Sequence, residues 1–221
     1  MLHEADQAVR HVYFPNDSFV SLIAVLDDHH GLAVGLTGSE GVLGAQLALG
    51  ARCDPLKAMV QGAGTAWRVE AGAFRRELAR SAPLRQCLLR YLSVLLNQRA
   101  VSAACLRFHE IGPRLARWLL MSQDRAHADH FAVTQDVLAA MLGVRRVGVT
   151  AAASALQRQG LIEYHRGRLT VLDRPGLEAA SCACYAADRR VYARAMGAGS
   201  ADGRPRAAGS VPRGAGLGLV G

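Results

Sequence analysis

The sequence predicts an α+β chain in three parts: an N-terminal β-roll or jelly roll, one long helix, and a C-terminal winged helix-turn-helix. Three observations predict it. Residues 10 to 70 break into short apolar runs separated by glycines and polar turns, as in a small barrel or jelly roll. From Pro83 the apolar residues recur at helical spacing as far as His109. Between Thr134 and Val171 a capped helix, a glycine turn, a basic second helix and a period-two hairpin follow one another.

Composition bounds what such a chain can do. Its 221 residues, 51% of them hydrophobic, suffice for two modest domains with cores of their own. A net charge of +8 and a pI near 9.8 favour a polyanionic partner, because neutralising phosphates releases counterions. Lys57 is the only lysine. The basic charge is therefore almost all arginine, whose planar fork contacts guanine or phosphate bidentately. Five cysteines, at 53, 87, 105, 182 and 184, are an odd set in a chain too large to need a disulfide framework. Met1 to Gln7 carries acidic charge and no apolar core, so no signal peptide is expected. With no apolar run of about twenty residues, no membrane span is expected, and a reducing cytoplasm is the expected compartment. A Gly-rich phosphate loop, paired acids in a plausible cleft and a nucleophile–base pattern are all missing, so no enzyme is expected.

In the N-terminal part, Val12-Tyr13-Phe14 forms a strand that ends at the breaker Pro15 to Ser18. Phe19 to Leu26 is a longer strand, Asp27 to Gly31 a polar turn, and Leu32 to Leu36 its hairpin partner. Strands follow at Ala58 to Gln61 and Thr65 to Val69, then a helix from Ala71 to Arg80.

Pro83 suits the first turn of the long helix. Leu84, Leu88, Tyr91, Leu95, Gln98, Ser102 and Cys105 alternate at spacings of four and three, a heptad-like seam expected to be a homodimer interface. Leu89, Leu92 and Leu96 form a second face, expected to cover the β-domain. After His109 to Pro113 a further helix turns Leu115, Trp118, Leu119 and Met121 inward, leaving Arg114, Arg117 and Arg125 outward. Residues 127–130 are expected to be a polar loop. The expected divisions are 1–82 for the partial β-roll, 83–108 for the dimer helix, 109–192 for the DNA-binding domain and 193–221 for a tail. The collapse to Gly, Ala, Pro, Ser and Arg from Gly197 predicts that the tail is disordered.

Within the helix-turn-helix, Thr134 is the N-cap and Asp136 complements the helix dipole. Leu138, Met141 and Leu142 share one face, and Gly143 takes the left-handed turn. The second helix begins near Arg145 and buries Val149, Ala152, Ala153 and Leu156. Arg145, Arg146, Gly148 and Thr150 remain at its exposed N-terminal end, the end that enters the major groove in helix-turn-helix proteins. Thr134 and Gln135 lie where the first helix meets the DNA backbone. Leu161 to Tyr164 and Arg168 to Val171 form the wing, whose Arg166 and Arg168 reach flanking phosphates. The bland alternative, a helical hairpin with a solvated arginine face, leaves the order of cap, glycine turn, basic helix and wing unexplained.

Taken together, these pieces resemble the Crp/Fnr superfamily of bacterial transcription regulators over roughly residues 9 to 192. Leu142-Gly143-Val144-Arg145-Arg146 with Val149-Thr150, Leu156 to Ile162, and Gly167 to Asp173 carry the resemblance most strongly. His11 to Pro15 and Gly35 to Gly44 look like the centre of the family's sensor β-roll. The resemblance implies a homodimer held by the long helix, an effector-sensing β-roll, double-stranded DNA as partner, and RNA polymerase as a further partner if the protein activates. It assigns guanine contact to Arg146, and a base or phosphate contact to Arg145. Val147 stands where many members place a base-reading glutamate, so a different sequence preference is expected. Only Met1 to Arg10 precede the recognisable roll, so either a shortened roll or a native start upstream of Met1 is expected. Ala45 replaces the glutamate of the family's cyclic-nucleotide pocket, and no Arg-Ser pair stands near Cys53 to Leu56. Cyclic-nucleotide binding is therefore not expected, nor is an N-terminal iron–sulfur cluster.

Cys182-x-Cys184 is too closely spaced for an ordinary zinc pair and has no second pair after it, so inert buried thiols and no metal are expected. His127-x-Asp129-His130 lacks a third ligand nearby. The competing function is a small-molecule or redox receptor that signals through a protein partner with a degenerate helix-turn-helix. Arg145, Arg146 and the wing favour DNA reading.

Overall fold

The computed structural model describes residues 2–25, 31–197 and 218–220. The N-terminal part is built from β1 (Gln7–Ala8), β2 (His11–Pro15), β3 (Phe19–Ala24), β4 (Leu32–Thr37), β5 (Cys53–Asp54), β6 (Lys57–Gly62) and β7 (Ala66–Glu70), with a short 3-10 helix at Ala45–Leu49. Strand β3 is central in one antiparallel sheet, ordered β4-β3-β6, and β2 pairs with β7 in another. The β3–β4 hairpin expected from the sequence is present, although its polar turn, 27–30, lies outside the described residues. Apolar packing explains the layering: Val12 of β2 meets Ala45, Phe74 and Leu88 from the helical segments in one cluster, while Val20, Leu22 and Ala58 of β3 and β6 form a second with Leu43.

Helix α1 (Ala71–Arg80) is capped by Glu70, whose carboxylate accepts from the Ala73 amide, and it lays Phe74 edge-on against Phe14. Helix α2 (Ala82–Phe108) starts from a Ser81 cap with Pro83 in its first turn. Its buried residues are Leu88, Tyr91, Val94, Leu95 and Cys105. This differs from the two faces expected of α2: Leu92 does pack against the β-domain, as expected, but Leu89 and Leu96 are open. Leu88, Tyr91 and Leu95 pack against the chain's own β-domain, with the Tyr91 hydroxyl 3.5 Å from that of Thr37. Leu84 packs at the edge of that cluster and Gln98 and Ser102 are half-buried, so none of these forms a free seam. The face left open runs through Leu89, Ser93, Leu96, Ala100 and Ala103, again at alternating spacings of three and four. A helix with apolar residues on two sides does not reveal from spacing which side its own domain claims.

Helix α3 (Ile111–Ala126) is the joint of the molecule, and its buried residues run almost all round it. The expected outward arginines are buried instead, each facing a specific acceptor. Arg117 meets Asp188 at 2.6 Å and the Ser102 hydroxyl at 3.0 Å. Arg125 meets Glu40 of the β-domain at 2.8 Å, and Arg114 donates to the Leu142 carbonyl. Burial of charge is tolerated here because the partners come from other elements, which single-helix periodicity does not register.

The C-terminal domain comprises β8 (His130–Ala132), α4 (Gln135–Leu142), α5 (Arg146–Arg158), β9 (Ile162–His165), β10 (Arg168–Val171), α6 (Arg174–Ala180) and α7 (Cys184–Met196). Its core joins Leu115, Leu119, Leu138, Val149, Leu156, Ile162, Leu169 and Leu177. Ile23 belongs to the same cluster, so the β-domain packs directly on it. His130 is in a strand rather than in the expected loop, because β8 pairs with β10 to make the wing three-stranded. Helix α7 runs to Met196, four residues into the expected tail, since Tyr192 and Met196 pack against the β-domain cluster. A last strand, β11 (Gly218–Val220), pairs antiparallel with β7, so this end of the expected disordered tail has backbone pairing. The rest of that tail lies outside the described residues. Among the described residues no single helix is long and apolar enough to cross a membrane.

Candidate nucleic-acid interface

The helix-turn-helix forms from local chemistry. The Thr134 hydroxyl accepts from the Val137 amide and starts α4. Gly143, at φ 61°, ends it, and its amide returns to the Ala139 and Ala140 carbonyls. A side chain there would be strained and would also meet Leu32 of β4 at 2.8 Å. After this turn α5 leaves at 106° to α4. Arg145 is the N-cap of α5 and makes no side-chain cap bond, so the first amides of α5 are open to an anionic group.

The wing turn is Arg166-Gly167, with φ of 48° and 78°, and His165 pairs with Arg168 across it. A two-residue hairpin turn with positive φ at both positions matches the twist of its strands. This holds Arg166 beside the helix-turn-helix. Thr134, Gln135, Asp136, Arg146, Tyr164, Arg166 and Gly167 together line one groove.

Five of the eight residues expected to touch DNA are therefore brought together in one exposed cluster. Gln135 is its hub: its side-chain oxygen accepts from the Thr150 hydroxyl at 2.8 Å and from Arg146 Nε at 3.5 Å. Thr134 and Arg166 complete the set. Arg145 and Arg168 are exposed but lie outside that groove. Gly148 lies outside that groove and has a packing role as well. A Cβ at Gly148 would lie 2.7 Å from Cδ1 of Ile111, so the glycine lets α5 pack closely on the start of α3.

Three members of the groove were not anticipated as site residues: Asp136, Tyr164 and the turn glycine Gly167. Asp136 lies 3.6 Å from Arg146 in a solvent-exposed pair and holds that guanidinium against α4. The Tyr164 hydroxyl donates to the Val133 carbonyl at 2.8 Å. Burial, with a contribution from the Asp136 charge, raises the Tyr164 pKa and keeps the hydroxyl a donor. The acidic first turn of α4 signalled Asp136, but as a helix-dipole residue. Val147, at 76% exposure, is the exposed large apolar side chain of α5.

Residues 113–180 match the family of the Crp-like helix-turn-helix domain. The chain has the fold of the Crp/Fnr regulators. A CRP-family transcriptional regulator from Thermus thermophilus is 19% identical, with a TM-score of 0.62 over 81% of this chain and 95% of that one. FixK2 from Bradyrhizobium japonicum is 16% identical, with a TM-score of 0.65 over 82% of this chain and 92% of that one. A regulator from Xanthomonas campestris, CLP, described as responsive to c-di-GMP, is 18% identical, with a TM-score of 0.60 over 78% and 89%. Among curated proteins no sequence matches. The order of β-domain, long helix and winged helix-turn-helix is that of the Crp/Fnr fold, and the matched residues 113–180 are its helix-turn-helix domain.

Proposed function

We propose that the protein is a homodimeric, sequence-specific transcription regulator. Helix α5 enters the major groove, and the β-domain senses an effector. The observation that carries this reading is the groove in which Gln135, Arg146 and Arg166 converge at the open N-terminus of α5, with the Thr150 hydroxyl bonded to Gln135 beside it. Arg146 reads guanine through its fork, Val147 and Thr150 offer apolar contact to a thymine methyl, and Thr134 and Arg166 take phosphates. A degenerate helix-turn-helix would have no use for such convergence.

Two-fold reading needs two copies. The open face of α2, with Leu89 43% and Leu96 64% exposed among small residues, supports pairing of α2 with its symmetry mate. RNA polymerase is a partner in the case of activation. A cyclic nucleotide is not the expected effector. Ala45 is buried at the start of the 3-10 helix, and Asp54 is held by Gln46 at 2.7 Å and by the Leu56 amide at 3.0 Å. A carboxylate in that segment repels a phosphate.

The test is selection of bound genomic fragments by the purified protein at two salt concentrations. A palindrome with half-sites about one helical turn apart is expected. Salt-sensitive retention of DNA with no motif, from wild type and Arg146→Ala alike, would refute sequence-specific reading.

A further inference from the structure

Four ligating side chains from distant parts of the sequence meet where the long helix, the joint helix and the C-terminal helix come together. Cys105 and His109 lie one turn apart, at the end of α2 and at its C-cap. Cys182 sits in the non-helical link between α6 and α7, and Cys184 is the first residue of α7. That link is why the two thiols of Cys182-x-Cys184 face the same point, which a continuous helix would forbid. The Cys105 and Cys182 sulfurs are 3.5 Å apart, and Cys184 Sγ is 3.6 Å from His109 Nδ1. All four ligand atoms lie within 4.8 Å of one another. The three cysteines are buried and His109 is half-buried.

These distances can be set against a known coordination geometry. With Zn–S near 2.3 Å and Zn–N near 2.0–2.1 Å, a tetrahedral site separates its sulfurs by about 3.8 Å and sulfur from nitrogen by about 3.6 Å. The Cys105–Cys182 and Cys184–His109 spacings need shifts of only a few tenths of an ångström, and the widest pair, within 4.8 Å, needs to close by about 1 Å. The donor set, three thiols and one imidazole, suits zinc and excludes the oxygen-seeking cations. A Cys105–Cys182 disulfide would leave the approach of Cys184 and His109 without a purpose.

Charge fits as well. Three thiolates and one divalent cation leave a single negative charge. Arg117, which interacts with Cys105 as well as Asp188, and Arg114, which interacts with Cys105 and Cys182, are the cations beside it. Coordination forms three Zn–S bonds and one Zn–N bond in place of the Zn–O bonds to the water ligands of the incoming ion, breaks three S–H bonds, and releases those waters and three protons to solvent.

We propose that Cys105, His109, Cys182 and Cys184 form a four-coordinate zinc(II) site that fastens the C-terminal helix to the end of the long helix. It is a structural clamp with all four positions taken by protein, so it has no open position for catalysis. It fixes the DNA-binding domain relative to α2. The site is independent of operator reading, and its test is carried out without DNA.

The experiment is elemental analysis of the full-length protein purified under reducing conditions, together with cobalt(II) titration of the metal-stripped wild type. About one zinc per chain is expected, along with intense visible bands and a thiolate-to-cobalt charge-transfer band typical of a tetrahedral site. Cys184→Ser and Cys105→Ser lose the metal, whereas Cys53→Ser, at an exposed cysteine elsewhere, keeps it. The cobalt titration uses the unaltered chain, so it decides the matter even where a ligand variant does not fold. Protein with all five thiols titratable and no cobalt bands overturns the proposal. So does a Cys105–Cys182 disulfide in metal-free protein, or iron with inorganic sulfide in place of zinc.

Discussion

Charging two adjacent leucines of α2 separates its two faces. Leu95 is 8% exposed and packs within the β-domain cluster, whereas Leu96 is 64% exposed. Burying a leucine fully is worth about 1.5–3 kcal/mol, so docking Leu96, with 64% of its surface free, stabilises a dimer by about 1–2 kcal/mol per copy. Two symmetry-related copies make that about 2–4 kcal/mol, or a rise in dimer Kd of about 30- to 700-fold on removal. Leu96→Glu is expected to weaken the dimer by at least this much, since each glutamate also faces its symmetry mate, while the monomer melts almost unchanged. Leu95→Glu is expected to destabilise the monomer itself by about 3–5 kcal/mol, because it buries an unpaired charge. Sedimentation velocity over a concentration series, with thermal melts of the same samples, reads both effects. A Leu96→Glu protein with the wild-type Kd refutes the open face as the interface. A Leu95→Glu protein that melts normally but stays monomeric would return the interface to the Leu88–Tyr91–Leu95 seam.

Other outcomes follow from the same structure. Arg146→Ala should lose about 1–3 kcal/mol on a specific operator and relax preference at one base pair, as read by competition with single-base variants. Asp136→Asn should tighten DNA binding severalfold at low salt by freeing Arg146 and removing a negative charge from the groove, and the gain should shrink as salt rises. Asp188→Ala should cost about 3–5 kcal/mol in denaturant unfolding by stranding buried Arg117, and adding Arg117→Met should recover much of that loss. Burial pushes the Tyr91 hydroxyl up to about 12 from its ordinary value of 10.0. The folded state thus keeps a proton that the unfolded chain gives up. Its contribution is whole below pH 10 and lost between pH 10 and 12, about 2–3 kcal/mol in all. Tyr91→Phe should flatten that part of the stability–pH curve.

The helix-turn-helix was legible because its determinants are local. A Thr134 cap, the Gly143 turn and the apolar positions of α4 and α5 each act within a few residues, and the structure reproduces them. Convergence of Gln135, Arg146 and Thr150 was legible for the same reason. What spacing could not decide was ownership of a surface. On α2, leucines on both sides are compatible with either face meeting the β-domain, and only the tertiary contacts of Tyr91 with Thr37 and the loop at Gly41 settle it. On α3, arginines read as solvent-facing because their acceptors, Glu40 and Asp188, are 85 and 71 residues away in sequence. The cysteine cluster was illegible on the same account. His109 follows Cys105 by one helical turn, a visible signal, but nothing local ties that pair to Cys182 and Cys184.

The three buried arginines of α3 also constrain how a message crosses the molecule. Each guanidinium is tied to a different body: Arg125 to the β-domain, Arg117 to α2 and α7, Arg114 to the end of α4. An oily contact would let these bodies slide past one another by any small amount. Directional, charged contacts in a dry place do not, because an intermediate position strands a cation without an acceptor. Shifting any one of these bodies against α3 therefore costs the buried contact that ties it there. A movement of the β-domain against the helix-turn-helix has to part Arg125 from Glu40 or carry the whole of α3 along with it.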